Sequence, residues 1–161
     1  MIEIMKAASE PRKPGYDLDR EGQYFEEQLT LIRRLAVAYN RRELDDLHLF
    51  LAEDVEYHSQ LTQDPVIGKE AVLAHIQERF DISKQGVQDV YAEIGFCQSE
   101  WGSVRLFGYD GQPCMLLSTC YGCTPIGLFT VDSQSALITS IEVWVSILDP
   151  EKAERTGEYP E

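Results

Sequence analysis

The sequence predicts an α+β fold, three N-terminal helices packed on a mostly antiparallel sheet, and three observations predict it. Apolar residues recur at steps of three and four through the first half of the chain, the spacing of amphipathic helices. Everything after Gly86 is rich in Val, Ile, Tyr, Phe and Thr, which suit a pleated sheet. No helical crossover separates those strands, and Asp110-Gly111 is a strong hairpin signal, so neighbouring strands should run antiparallel.

Residues 1 to 18 mix charge with Pro11, Pro14 and Gly15 and read as a flexible arm. From Gln23 the stripe Phe25, Leu29, Ile32, Ala36 and Tyr39 marks the first helix. Asn40-Arg41-Arg42 breaks it, and Leu44, Leu47, Phe50 and Leu51 predict a second, shorter helix closing at Glu53-Asp54. Val55 to Ser59 alternates as a strand, Asp64-Pro65 and Gly68 turn the chain, and Val72, Ile76 and Phe80 set a third helix from Lys69 to Phe80. Strands then follow at about Val87 to Cys97, Val104 to Tyr109, Cys114 to Tyr121, Ile126 to Val131 and Leu137 to Ile147, with a turn at Asp132-Ser133-Gln134. The tail from 149 to 161 has too few apolar residues to pack and reads as disordered.

With 161 residues, 43% of them hydrophobic, the chain can bury one core, a domain over residues 19 to 148. Lys and Arg number 14 against 28 Asp and Glu, and a net charge of -14 repels phosphate backbones and anionic lipid surfaces, which argues against nucleic acid and membrane partners. No stretch approaches the ~20 apolar residues of a membrane span, and the N-terminus lacks a secretory apolar region, so a cytoplasmic location is expected. In that setting Cys97, Cys114, Cys120 and Cys123 read as reduced thiols. Cys120-Tyr-Gly-Cys123 is a single CxxC, without a second pair for zinc, and its sulfurs approach only if Gly122 makes a turn. No metal or cofactor motif stands out.

The run LAVAYNRRELDDLHLFLAEDVEYHSQ, followed by DPVIGKEAVLAHI and FTVDSQSALITSIEVWVS, resembles the nuclear-transport-factor-2-like superfamily, with its ketosteroid isomerases and polyketide-cyclase-like proteins. The resemblance spans residues 25 to 147 and implies a strongly curved sheet that encloses, with the helices, a cone-shaped pocket. In ketosteroid isomerases the oxyanion-binding tyrosine would fall at Leu35, the general-base aspartate at Ser59 and the second oxyanion acid near Gly127. Leu, Ser and Gly supply neither that base nor those donors, which argues against isomerisation by that mechanism. The same resemblance points Ser140, Glu142 and Trp144 on the last strand, Gly127 and Phe129 on the one before it, and Tyr57, Ser59 and Tyr39 into the pocket. The other face of the last strand, with Ile141, Val143 and Val145, is apolar enough to suggest a homodimer interface.

Glu142 is the leading catalytic candidate, a carboxylate facing an apolar cavity where desolvation would raise its pKa; the alternative is a carboxylate satisfied by backbone donors or by Arg105. Tyr57 would donate a hydrogen bond to a ligand oxygen, although buried phenols more often simply pack. His58 alternates away from Tyr57 and ranks below Glu142, while the helical His48 and His75 share no ligand spacing. The expected function is binding of a small apolar or aromatic molecule, with cofactor-independent acid-base catalysis of isomerase, dehydratase or cyclase type left open. The alternative is a non-catalytic dimerisation or association module of the same fold.

Overall fold

The computed structural model describes residues 18–44, 46–60, 62–84, 90–97, 112–145 and 153–161. The first helix, α1 (Leu18–Arg41), buries Gln28, Leu31, Ile32, Leu35, Ala36, Ala38 and Tyr39 and leaves Arg33, Arg34 and Arg41 exposed, as its apolar period requires. It stops at Arg42, whose φ of 55° is left-handed. There Arg42 N bonds Tyr39 O (3.3 Å) and Glu43 N bonds Ala38 O (3.1 Å), the paired bonds of a Schellman cap without its usual glycine.

The expected second helix is not formed. Leu47–Phe50 makes one 3-10 turn of four residues, and Leu51, expected at its end, begins strand β1 (Leu51–Ser59). Leu47 and Leu51 are buried as the helical spacing suggested, but a single turn between a capped helix and a strand is too short to sustain α-helix nucleation. Among the described residues there are therefore two α-helices, not three, the second being α2 (Lys69–Lys84) with Val72, Ile76 and Phe80 buried. Between β1 and α2, β2 (Val66–Ile67) pairs antiparallel with Tyr57 and Glu56, and Gly68 (φ +100) turns the chain into the helix.

The remaining strands are β3 (Tyr91–Cys97), β4 (Pro113–Ser118), β5 (Gly127–Gln134), β6 (Leu137–Val145) and β7 (Ala153–Arg155). They form a seven-stranded sheet in the order β2-β1-β6-β5-β4-β3-β7, in which β1 with β6 is the parallel pair and the others are antiparallel. The mostly antiparallel α+β expectation holds among the described residues. The expected strand at Val104 to Tyr109, its Asp110-Gly111 turn, and the N-terminal arm apart from Leu18 lie outside them.

Three local expectations are corrected. The turn placed at Asp132-Ser133-Gln134 sits at Ser135-Ala136, whose φ values of 55° and 63° are both left-handed, as a two-residue hairpin needs. The tail read as disordered forms β7 on β3, because its anchors are polar rather than apolar. Thr156 Oγ1 donates to Ile94 O (2.7 Å), Ile94 N to Glu158 O (2.9 Å), and Arg155 to the buried Glu93. Cys120 and Cys123, read as reduced, are disulfide-bonded, because Gly122 (φ +76) turns the segment and brings the two Cα atoms to 5.3 Å.

Helix α1 covers β3, β4 and β5, and α2 covers β1. The sheet face beneath them carries Val55, Tyr57, Ala92, Ile94, Met115, Phe129, Val131, Ile141 and Val143, one cluster with the buried helix residues. The opposite face carries Glu93, Cys114, Leu116, Leu128 and Thr130, all buried as well.

Candidate functional site

Where β1 ends at Ser59 and the parallel β6 runs on to Val145, a cleft of about 250 Å³ is lined by His58, Ser59, Gln60, Glu142, Val143 and Trp144. Its two titratable groups are register partners: His58 pairs with Glu142, so their side chains leave the same face of the sheet from adjacent strands. His58 Nε2 lies 2.9 Å from Glu56 Oε1. A carboxylate can only accept there, so neutral His58 carries its proton on Nε2 and leaves Nδ1 as a proton acceptor.

Burial raises the pKa of Glu142, the charge of Asp132 adds to the rise, and His58 opposes it. Asp132, raised by its own burial, sits one register step away on the neighbouring strand, where Thr130 pairs with Glu142 and Asp132 with Ser140. The cleft therefore joins a carboxylate biased toward holding its proton to an imidazole oriented by a second carboxylate, beside the half-buried Trp144. That set can give and take protons on a bound molecule. Among the described residues no group of three or more His, Cys, Asp or Glu side chains is arranged to hold a metal ion, and no helix is long and apolar enough to cross a membrane.

The structure divides the sequence-predicted lining between two faces. Glu142, Ser59 and Trp144 meet at the cleft, and Ser140 lies on the Glu142 side, half-buried. Leu35, Tyr39, Tyr57 and Phe129 lie under the helices in the core, and Gly127 is buried in β5. Tyr57 pairs with Ile141 and Phe129 with Val143, so Tyr57 and Glu142 leave opposite faces of the sheet.

A β-bulge precedes this stretch of β6. Asp132 pairs with Ser140 but Ser133 with Ile138, which leaves Thr139 as the extra residue and resets the alternation of β6. Ile138, Ile141 and Val143 then all enter the core, 0 to 5% exposed within a single chain. Of the face expected to bind a second copy, Ile141 and Val143 are buried in the core cluster.

Under the helices, Tyr39 is buried among aromatic core rings. Its ring meets Phe80 edge-on at 5.0 Å and Phe129 at 5.3 Å, and its hydroxyl shares a hydrogen bond with Tyr57. Burial, with the Tyr57 neighbour second, pushes Tyr39 well above the usual tyrosine range. Tyr57 in turn packs against the ring of His75 at 4.7 Å. These tyrosines are held as core phenols.

His58 does point away from Tyr57, as alternation required; Glu142 lies on its side of the sheet too. The signal that finds the pair is the count from Ile141 and Val143, too apolar to face water, which throws Glu142 outward beside His58. Asp132, read only as part of a turn, gave no sequence signal of its neighbour.

No protein-family model matches the chain, and no curated protein matches it. Solved structures do. A steroid delta-isomerase from Pseudomonas aeruginosa is 16% identical with a TM-score of 0.54, covering 76% of this chain and 81% of that chain. A protein proposed to be a ketosteroid isomerase, from Kribbella flavida DSM 17836, is 18% identical with a TM-score of 0.53 over 77% of this chain and 81% of that chain. A de novo designed protein with a curved β-sheet is 14% identical with a TM-score of 0.52, over 76% of this chain and 87% of that one. The designed protein's likeness shows that what is shared is architecture. The chain has the nuclear-transport-factor-2-like fold.

Proposed function

We propose that this chain is a small-molecule-binding domain whose site is the cleft between β1 and β6, with acid-base chemistry by Glu142 and His58 on an apolar or aromatic carbonyl compound. The observation that carries the reading is the pairing of His58 with Glu142 in that cleft, with the proton affinity of Glu142 raised by burial. Trp144 offers an apolar surface for the ligand. Ionised Glu142 takes a proton from the carbon beside the carbonyl, while the imidazolium form of His58, its Nε2 proton held by Glu56, donates from Nδ1 to the oxygen on which charge develops. The ketosteroid isomerase likeness supports a ligand of this kind without assigning the same residues.

A second reading, an association module without catalysis, draws support from the interior filled by Tyr39, Phe80 and Phe129. A thermal-shift screen against steroids, polyketides and aromatic carbonyl compounds separates the two, since a ligand of the folded state raises Tm. We expect hits whose shift is lost in Trp144→Ala, and turnover of a hit that falls by roughly 100-fold in Glu142→Gln. No shift across the library, or turnover that survives both Glu142→Gln and His58→Gln, overturns the catalytic reading.

A further inference from the structure

The loop between β4 and β5 holds the disulfide Cys120–Cys123, and its backbone and rings are fastened to the C-terminal segment. Gly122 N donates to Tyr159 Oη at 2.9 Å. The ring of Tyr121, the residue after Cys120, lies 4.8 Å from the ring of Tyr159 and 4.4 Å from that of Tyr91 on β3. Tyr159 Oη, while accepting from Gly122, donates to Glu93 Oε1 at 3.2 Å, the same oxygen that receives Arg155 Nη2 at 2.6 Å. Glu93 is 2% exposed, so this network is where the strap of residues 153–161 is held to β3.

We propose that Cys120–Cys123 is a reversible redox site, opened by a dithiol reductant, and that opening it loosens the C-terminal strap on β3. Cys120 is exposed and Cys123 partly so, which gives a reductant access. A thiolate of the reductant attacks Cys120 Sγ, the S–S bond breaks, and its electron pair leaves on Cys123 Sγ, which takes up a proton. The second thiol of the reductant then displaces Cys120. The protein gains two electrons and two protons, and the reductant becomes a disulfide.

The coupling is conformational. Gly122 holds φ +76 inside a turn closed by Cys123 N to Cys120 O (3.2 Å) and by the disulfide. With the covalent closure gone, the glycine regains its wide conformational range and Gly122 N leaves Tyr159. Tyr121 is 60% exposed, so little burial holds its ring against Tyr159 once the turn opens. The strap then keeps its polar anchors on Glu93 without the buttress that covers them.

The test is amide hydrogen exchange of the segment 153–161 in the full chain, with and without dithiothreitol, alongside peptide mapping of alkylated cysteines. We expect dithiothreitol to free Cys120 and Cys123 in the folded protein and to speed exchange of the strap roughly tenfold, with α1 unchanged. The double variant Cys120→Ser/Cys123→Ser should exchange at the reduced rate and ignore dithiothreitol. Tyr159→Phe, which keeps the ring and removes the hydroxyl, should exchange fast in both redox states. The proposal is overturned if the disulfide resists dithiothreitol while the protein stays folded. It is equally overturned if the disulfide is reduced with no change in strap exchange, or if Tyr159→Phe retains full redox dependence.

Discussion

Asn40 holds both backbone groups of Ala92, so that a side chain at the end of α1 takes the place of a neighbouring strand along β3. Its Oδ1 accepts from Ala92 N at 2.7 Å, and its Nδ2 donates to Ala92 O at 2.9 Å and to Pro160 O at 2.6 Å. An aspartate keeps the first bond and turns the other two into a carboxylate oxygen facing two carbonyls. Asn40→Asp should therefore cost about 2–3 kcal/mol. Urea unfolding monitored by circular dichroism measures it, and a loss below about 0.5 kcal/mol would show that solvent satisfies these carbonyls.

Arg155 and Glu93 make the corresponding contact for the strap. Glu93 also receives Gly157 N at 2.7 Å, so with Arg155 Nε and Nη2 and Tyr159 Oη four donors from three residues converge on one buried carboxylate. Removing the guanidinium strands that charge, and Arg155→Ala should lose about 3 kcal/mol. In Glu93→Gln/Arg155→Ala no charge is stranded, so the double variant should lose clearly less than the sum of the single losses. Additive losses in a double-mutant cycle would mean the two residues act separately.

Both α-helices were legible because they bury an apolar stripe at fixed spacing: Ile32, Leu35, Ala36 and Tyr39 in α1, and Val72, Ile76 and Phe80 in α2. The sheet was legible through its β-forming runs. What stayed hidden depends on features without a period. One bulged residue, Thr139, lets Ile138 share the core with Ile141 and Val143, an irregularity that no local composition announces. The strap is anchored by Glu93, Asn40 and the Arg33–Glu158 ion pair, contacts between residues far apart in sequence and invisible to hydropathy. The candidate site was half legible: Glu142, Ser59 and Trp144 were named, but with Tyr57 as partner instead of His58.

The hairpin joining β5 to β6 carries Ser135 and Ala136 at left-handed φ values of 55° and 63°, where a side chain with a Cβ is strained. Ala136 is exposed, so a substitution there removes no packing. Ala136→Gly should stabilise the protein by about 1 kcal/mol, the relief at the turn outweighing the glycine's added freedom in the unfolded chain. A lower urea midpoint for the variant would contradict this.

The strongest pH signature should come from the cleft. Burial first, then the Asp132 charge, raise Glu142 above its ordinary 4.5, with His58 opposing, and burial raises Asp132 above its ordinary 3.8. A carboxylate raised on folding binds its proton more tightly in the folded chain than in the unfolded one. The folded state then carries more protons over the window above those ordinary values, so this contribution to stability is full below them and falls as pH rises through the folded values. Gln at position 142 neither ionises nor repels Asp132, so Glu142→Gln escapes that fall. Partial exposure of the cleft screens the effect. We expect its Tm to match or lie below that of the unsubstituted protein near pH ~4 and to exceed it by on the order of 1–2 °C near pH ~7. Equal Tm differences at the two pH values would mean that Glu142 titrates as it does in the unfolded chain, and would remove the electrostatic basis for its role as a proton acceptor.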